Sequence, residues 1–162
     1  GKDVFLTVSL HPVSYKISAE AIAAVDFISL QCYGPSVKLF SMERFKSDGK
    51  AAVDYGIPQD KLVMGVPFYG TTGTAGEQAA YFDLVGKGNL TNTSADTWSY
   101  EGKNYTLNSQ NTIRQKTQYV CENGFGGIMS WDLATDVDVT HEMSLLKAVK
   151  EELDYYANPT VE

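Results

Sequence analysis

Three observations predict an α/β fold built from parallel β/α units. Strand-like and helix-like stretches alternate along the chain in the order strand, helix, strand, helix, strand, insertion, helix, strand, helix. The strand stretches are near-continuous apolar runs, the pattern of strands covered on both faces. Each also runs out into a polar or aromatic group at its carboxyl end, the rim where parallel α/β folds place their ligands. Four such units joined by right-handed crossovers are half of a (β/α)8 barrel, whose full length is about 250 residues. The competing architecture is a complete four-stranded doubly wound domain, which would leave two sheet edges exposed.

The elements follow in order. Val4-Phe5-Leu6-Thr7-Val8-Ser9-Leu10 reads as a buried strand running into His11-Pro12. Ser18 is the expected N-cap of a short helix over residues 18–24, because its hydroxyl can accept from the first free backbone N–H groups. The second strand, Val25 to Tyr33, ends in Gln31, Cys32 and Tyr33 before Gly34-Pro35. A helix from about Ser41 to Tyr55 is stopped by Gly56-Ile57-Pro58. Asp60 to Gly70 reads as the third strand. The stretch 71–107, rich in Gly, Thr, Asn and Tyr, reads as a loop excursion over one end of the sheet, with a helix near residues 76–85 and a hairpin centred on Glu101-Gly102-Lys103. Asn108 to Glu122 is helical and stopped by Asn123-Gly124. The last strand, Gly126-Gly127-Ile128-Met129-Ser130-Trp131-Asp132, delivers a tryptophan and an aspartate at its end. A final helix spans about Thr140 to Tyr156, capped by Asp138 or Thr140.

Composition narrows the function. The 162 residues are 43% hydrophobic and 20% charged, enough for one domain with a real core. The formal charge of −7, with no basic cluster, argues against nucleic acid and against anionic membranes as partners. No apolar run is long enough to span a bilayer. Two cysteines, Cys32 and Cys121, are expected as buried free thiols, and two histidines, His11 and His141, show no metal-ligand spacing. No phosphate loop or dinucleotide glycine fingerprint follows the first strand. Ten Tyr, seven Phe and two Trp suit flat ligands such as sugars, and suit a packed core equally well. The opening Gly1-Lys2-Asp3, running almost at once into a strand, is how a fragment begins.

Three stretches carry a specific resemblance. Asp26-Phe27-Ile28-Ser29-Leu30-Gln31-Cys32-Tyr33, Lys61-Leu62-Val63-Met64-Gly65-Val66-Pro67-Phe68-Tyr69-Gly70 and Gly126-Gly127-Ile128-Met129-Ser130-Trp131-Asp132-Leu133 resemble the sixth, seventh and eighth barrel strands of glycoside hydrolase family 18, the chitinase and endo-β-N-acetylglucosaminidase family. The resemblance implies that residues 1–162 are the carboxyl-terminal half of a TIM-barrel catalytic domain, strands five to eight, with the insertion 71–107 after strand seven. It further implies a secreted, periplasmic or cell-surface hydrolase of β-1,4-linked N-acetylglucosamine, with no metal and no cofactor. Its chemistry would be substrate-assisted, the sugar's own 2-acetamido oxygen attacking the anomeric carbon. Tyr33 would be the catalytic tyrosine that orients that acetamido group, Trp131 the floor under the sugar, and Gln31 and Tyr69 cleft-lining residues.

The chain also departs from the family pattern. Gly34 stands where many members have Asp, and Thr71 where many have Arg. The acidic signature D-x-x-D-x-D-x-E of the fourth strand has no match, so this chain alone is expected to be inactive, its general acid lying upstream. Asp132, Asp136, Asp138 and Glu142 are read first as charging and capping the last helix, and His11 and Tyr69 as rim and wall residues. The triplets beginning at Asn89, Asn92 and Asn104 are glycan acceptors only in a eukaryotic secretory route. The expected partners are chitin or an N-acetylglucosamine oligosaccharide, together with the missing amino-terminal half of the barrel or a second copy of this half. A non-catalytic chitin-binding relative and a stand-alone interaction domain are the alternatives.

Overall fold

The structure, a computed structural model, describes residues 4–158. Gly1-Lys2-Asp3, read above as the start of a fragment, lies outside the described residues. In chain order the elements are β1 (Thr7–Leu10), α1 (Ala19–Ala24), β2 (Phe27–Leu30), α2 (Met42–Tyr55), β3 (Leu62–Pro67), β4 (Tyr69–Thr71), β5 (Gln78–Ala80), α3 (Tyr81–Gly86), β6 (Thr97–Tyr100), β7 (Lys103–Thr106), α4 (Gln110–Glu122), β8 (Gly127–Trp131) and α5 (Leu145–Ala157). Strands β1, β2, β3 and β8 form one parallel sheet in that order. The fold is α/β, as expected.

Register fixes which side chains share a face. Ser9 pairs with Ser29, Ser29 with Val63, Gly65 with Met129 and Pro67 with Trp131. The alternate set, Ile28, Leu30, Leu62, Met64 and Val66, is fully buried with Phe45 of α2 and Ile113 and Val120 of α4. Each such aliphatic side chain contributes about 1.5–3 kcal/mol on burial. Helices α1, α2 and α4 lie close to where the sequence suggests. Ser18 accepts from Ala21 N–H, Ser41 from Arg44 N–H and Ser109 from Thr112 N–H. Gly56, at φ 112°, supplies the left-handed C-cap of α2.

Four expectations are corrected. Both faces of the sheet were expected to be covered, yet β2 alternates half-buried and buried residues, and Thr7 and Ser9 of β1 are exposed. Val4, Phe5 and Leu6 do not join β1 and lie 85%, 73% and 58% exposed, so apolar character alone overstated that strand. The Asp60–Gly70 stretch is two strands. The chain bends at Phe68, and β4 leaves for a second, antiparallel sheet of order β5-β4-β7-β6. The stretch 71–107 does contain the expected helix, as α3, and the expected hairpin, as β6 and β7, and the two hairpin strands join β4 and β5 in that sheet. Finally, the last helix starts at Leu145 with Ser144 as N-cap. Asp138 instead accepts from Thr140 N–H and Oγ1–H, at 2.8 and 2.6 Å, and so holds the preceding turn.

Candidate functional site

The carboxyl ends of β2, β3 and β8 converge on one cleft. Beyond β2 the alternation continues, so Cys32 turns into the core, fully buried, while Gln31 and Tyr33 face the open side. On β8 the same alternation puts Met129 and Trp131 on that side. A cavity of about 310 Å³ is bounded by His11, Gln31, Tyr33, Gly34, Tyr69 and Trp131. A groove of about 380 Å³ continues from it over Ser9, Ser29 and Met129. The four site residues expected from the sequence, Tyr33, Trp131, Gln31 and Tyr69, are thus brought together.

Their chemistry differs. The Tyr33 and Trp131 rings lie nearly parallel, 15° apart with centroids 6.3 Å apart. Tyr33 is only 6% exposed, packed with Leu39, Phe40, Tyr69 and Met129. Burial, helped by the neighbouring Tyr69 and Cys32, pushes its hydroxyl up to about 12, so it remains a protonated donor at neutral pH. Among the described residues its one acceptor is the Met129 sulfur at 3.6 Å, a poor one. Trp131 is 54% exposed, an unusual position for so large an apolar ring.

The other two residues already have partners. The Tyr69 hydroxyl donates to the Gly34 carbonyl at 3.1 Å, and burial pushes its pKa up to about 12. Gln31 Nε2 donates to Ser9 Oγ at 2.9 Å. Tyr69 therefore holds backbone, and Gln31 stands as a fixed wall. Beside Tyr69, the buried Thr71 donates to the Pro35 carbonyl at 3.0 Å.

Two participants escaped the sequence reading. Met129 is the residue under the Tyr33 hydroxyl, and its position two before Trp131 on one strand face was the available signal. Gly65, opposite Met129, is the other. A β-carbon there would stand 2.6 Å from the Leu30 carbonyl oxygen and 2.9 Å from the Tyr33 ring, so only glycine lets that ring lie flat on β3.

The acidic residues near the last helix are not at the cleft. Asp136 accepts from Leu145 N–H, Leu146 N–H and Ser144 Oγ–H at 3.1, 2.9 and 3.0 Å, capping α5. Glu142 is exposed, and its carbonyl receives Gln110 Nε2. Asp132 is half-buried, one of its oxygens lacking any partner. Among the described residues lining the cleft there is no carboxylate. Both cysteines are free thiols, but Cys121 is only partly buried, contrary to expectation. Among the described residues, no helix is long and apolar enough to cross a membrane.

Residues 1–136 match the family model of glycosyl hydrolases family 18. Chitinase 2 of Yersinia entomophaga is 26% identical over 163 aligned positions, covering 74% of this chain and 25% of that protein. Among solved structures, the GH18 chitinase ChiB from the chitin utilization locus of Flavobacterium johnsoniae superposes with a TM-score of 0.74 at 29% identity, over 91% of this chain and 49% of that one. A class V chitinase of Nicotiana tobaccum in complex with NAG4 shares the fold at a TM-score of 0.65 and 19% identity, over 91% of this chain and 56% of that one. The chain spans about half the length of these two solved structures and a quarter of the Yersinia protein.

Proposed function

The chain belongs to glycosyl hydrolases family 18, and from that membership we propose that it is the carboxyl-terminal half, strands five to eight, of a chitinase-like (β/α)8 barrel. The whole protein cleaves β-1,4-linked N-acetylglucosamine by substrate-assisted, retaining hydrolysis and works outside the cytoplasm. Its partners are chitin or its oligosaccharides. The single observation that carries the reading is the Tyr33 hydroxyl. It is a protonated donor at the end of a strand, facing an open cleft, with only a thioether for an acceptor.

A carbonyl oxygen is a far better acceptor than a thioether, so an acetamido group entering the cleft displaces that weak contact. Held by Tyr33, the acetamido oxygen is turned toward the anomeric carbon of its own sugar, an orientation effect. Trp131 offers its exposed face to the C–H face of the ring and shields the positive charge that develops on the sugar. Gln31 and Tyr69 line the subsite. The proton for the leaving oxygen comes from a carboxylic acid upstream of this chain, on the half of the barrel that packs against the open face of the parallel sheet.

One observation favours a second reading, a chitin-binding relative without turnover. Residue 34, directly after Tyr33, carries no side chain where many members have Asp, and residue 71 is Thr where many have Arg. Incubating the full-length protein with chitotetraose separates the two. Shorter oligosaccharides establish the hydrolase. Binding with no product after long incubation establishes the binding protein, and neither binding nor product refutes both.

A further inference from the structure

The geometry points to His11 as a sugar-contacting residue of the cleft, presenting Nε2 to a pyranose hydroxyl while its other nitrogen is buried. The inference rests on the reading of the cleft as an N-acetylglucosamine site and adds a residue to it.

Four observations support it. His11 closes β1 and bounds the same cavity as Tyr33 and Trp131. Its Nε2 lies 3.8 Å from the point a β-carbon on residue 34 would occupy, a point that Leu39 Cδ1 approaches to 2.9 Å, so the imidazole borders the close packing around Gly34. Its backbone is fixed, because the His11 carbonyl accepts from Ser14 N–H at 3.2 Å in a short antiparallel bridge. And its two nitrogens are in different surroundings, Nδ1 being buried with no partner.

Asp48 of α2 is buried, with one carboxylate oxygen on Arg44 Nε at 2.6 Å and the other, Oδ2, buried without a partner. Burial pushes the Asp48 carboxyl up, and the hydrogen bond and charge of Arg44 oppose that rise. Neither His11 Nδ1 nor Asp48 Oδ2 has a hydrogen-bond partner among the described residues, and a ring nitrogen that can donate complements a carboxylate oxygen that accepts. Nδ1 is enclosed by protein, which leaves Nε2 for the cleft. A sugar hydroxyl both donates and accepts, so it can pair with that nitrogen in either protonation state.

The test uses calorimetric binding of chitotetraose to the full-length protein. His11→Ala is expected to weaken binding by about tenfold, the loss of one hydrogen bond in a partly desolvated site. Glutamine places its amide nitrogen near the position of Nε2, whereas asparagine reproduces only the Nδ1 side. His11→Gln should thus stay within roughly threefold of the wild type, and His11→Asn should behave like alanine. Asn restoring affinity where Gln does not would overturn the proposal, because the buried nitrogen would then be the one that matters. So would His11→Ala binding within roughly twofold of the wild type. Thermal unfolding of the Gln and Asn variants checks that the comparison is made between folded proteins. A wild-type protein that binds normally while His11→Ala is unchanged removes His11 alone. A wild-type protein that neither binds nor cleaves removes the reading of the cleft, and this inference with it.

Discussion

Tyr33→Phe separates function from folding more cleanly than any other change at this site. The ring is 6% exposed and packed among Leu39, Phe40, Tyr69 and Met129, and phenylalanine keeps all of that packing. Only the hydroxyl is lost, together with its contact to the Met129 sulfur at 3.6 Å. A weak bond to a thioether is worth at most about 0.5 kcal/mol, so the melting temperature should move by no more than about 2 °C. A preorganised donor to an oxygen that attacks in the transition state is worth about 2.7 kcal/mol or more, a fall of about a hundredfold in turnover. Initial rates on chitotetraose and a thermal melt, both on the full-length protein, measure the two quantities side by side. The raised pKa of about 12 adds a condition. A phenol held protonated that far up gives the pH–rate profile no limb of its own at neutral pH, and the Phe variant should keep the wild-type profile at a lower level. An unchanged rate would refute the assignment of Tyr33. A large drop in melting temperature would show that the hydroxyl serves the fold.

Three further outcomes follow from the same geometry. Trp131→Ala removes a ring that is already 54% exposed, so stability should change by less than about 1 kcal/mol while oligosaccharide affinity falls by about thirtyfold. Calorimetry showing equal affinity would rule out the floor role. Gly65→Ala sets a β-carbon 2.6 Å from the Leu30 carbonyl oxygen and 2.9 Å from the Tyr33 ring. It should cost about 1–3 kcal/mol in denaturant unfolding and depress activity as well, and a variant of wild-type stability would contradict the close packing. Burial lowers the fully buried Lys116 to about 8 from its ordinary 10.5. Between those values the unfolded chain binds the proton that the folded one has released, so this lysine makes stability rise with pH there, by at most about 1.4 kcal/mol per pH unit. Measured against Lys116→Met, which cancels the other titrating groups, the wild type should gain ground from pH 8 to pH 10. A constant difference between the two would show that the lysine does not titrate in that window.

The parallel β/α order was legible because β2, β3 and β8 are apolar runs and because serine caps and glycine stops delimit α1, α2 and α4. Of the second sheet only the hairpin of β6 and β7, centred on Glu101-Gly102-Lys103, was legible. Its joining to β4 and β5 was not, because those strands are three residues long and antiparallel pairing between such short pieces is decided by tertiary contact. The boundary between β3 and β4 was hidden because Pro67-Phe68-Tyr69 stays apolar through the bend. At the site, Tyr33 and Trp131 stood out as aromatic residues where apolar strands end. The difference between Tyr33 and Tyr69 could not be read, since it lies in which acceptor each hydroxyl meets. One meets a sulfur, the other a backbone carbonyl 35 positions away in sequence.

That difference explains how the second sheet bears on the cleft. The chain leaving Tyr33 runs through Gly34, Pro35 and a short helical turn to Phe40, and three of its carbonyls are caught from behind. Tyr69 takes Gly34, Thr71 takes Pro35, and Asn108 with Lys116 takes Phe40 at 2.9 and 2.8 Å. Lys116 also donates to Asn108 Oδ1 at 2.7 Å, which ties the two together. The Phe40 ring then packs edge-on against Tyr69, 5.6 Å between centroids, under Tyr33. Two of these four groups come from β4, one, Asn108, from just before α4 and one, Lys116, from the middle of α4, so they flank the rest of the second sheet in sequence. The polar side chains around the loop are thus engaged in holding its backbone, and the Tyr33 hydroxyl remains as the donor without a good acceptor. Such an arrangement keeps one hydrogen bond available at a fixed place, and weakening any of the four ties should reach Tyr33 through the loop before it reaches the parallel sheet.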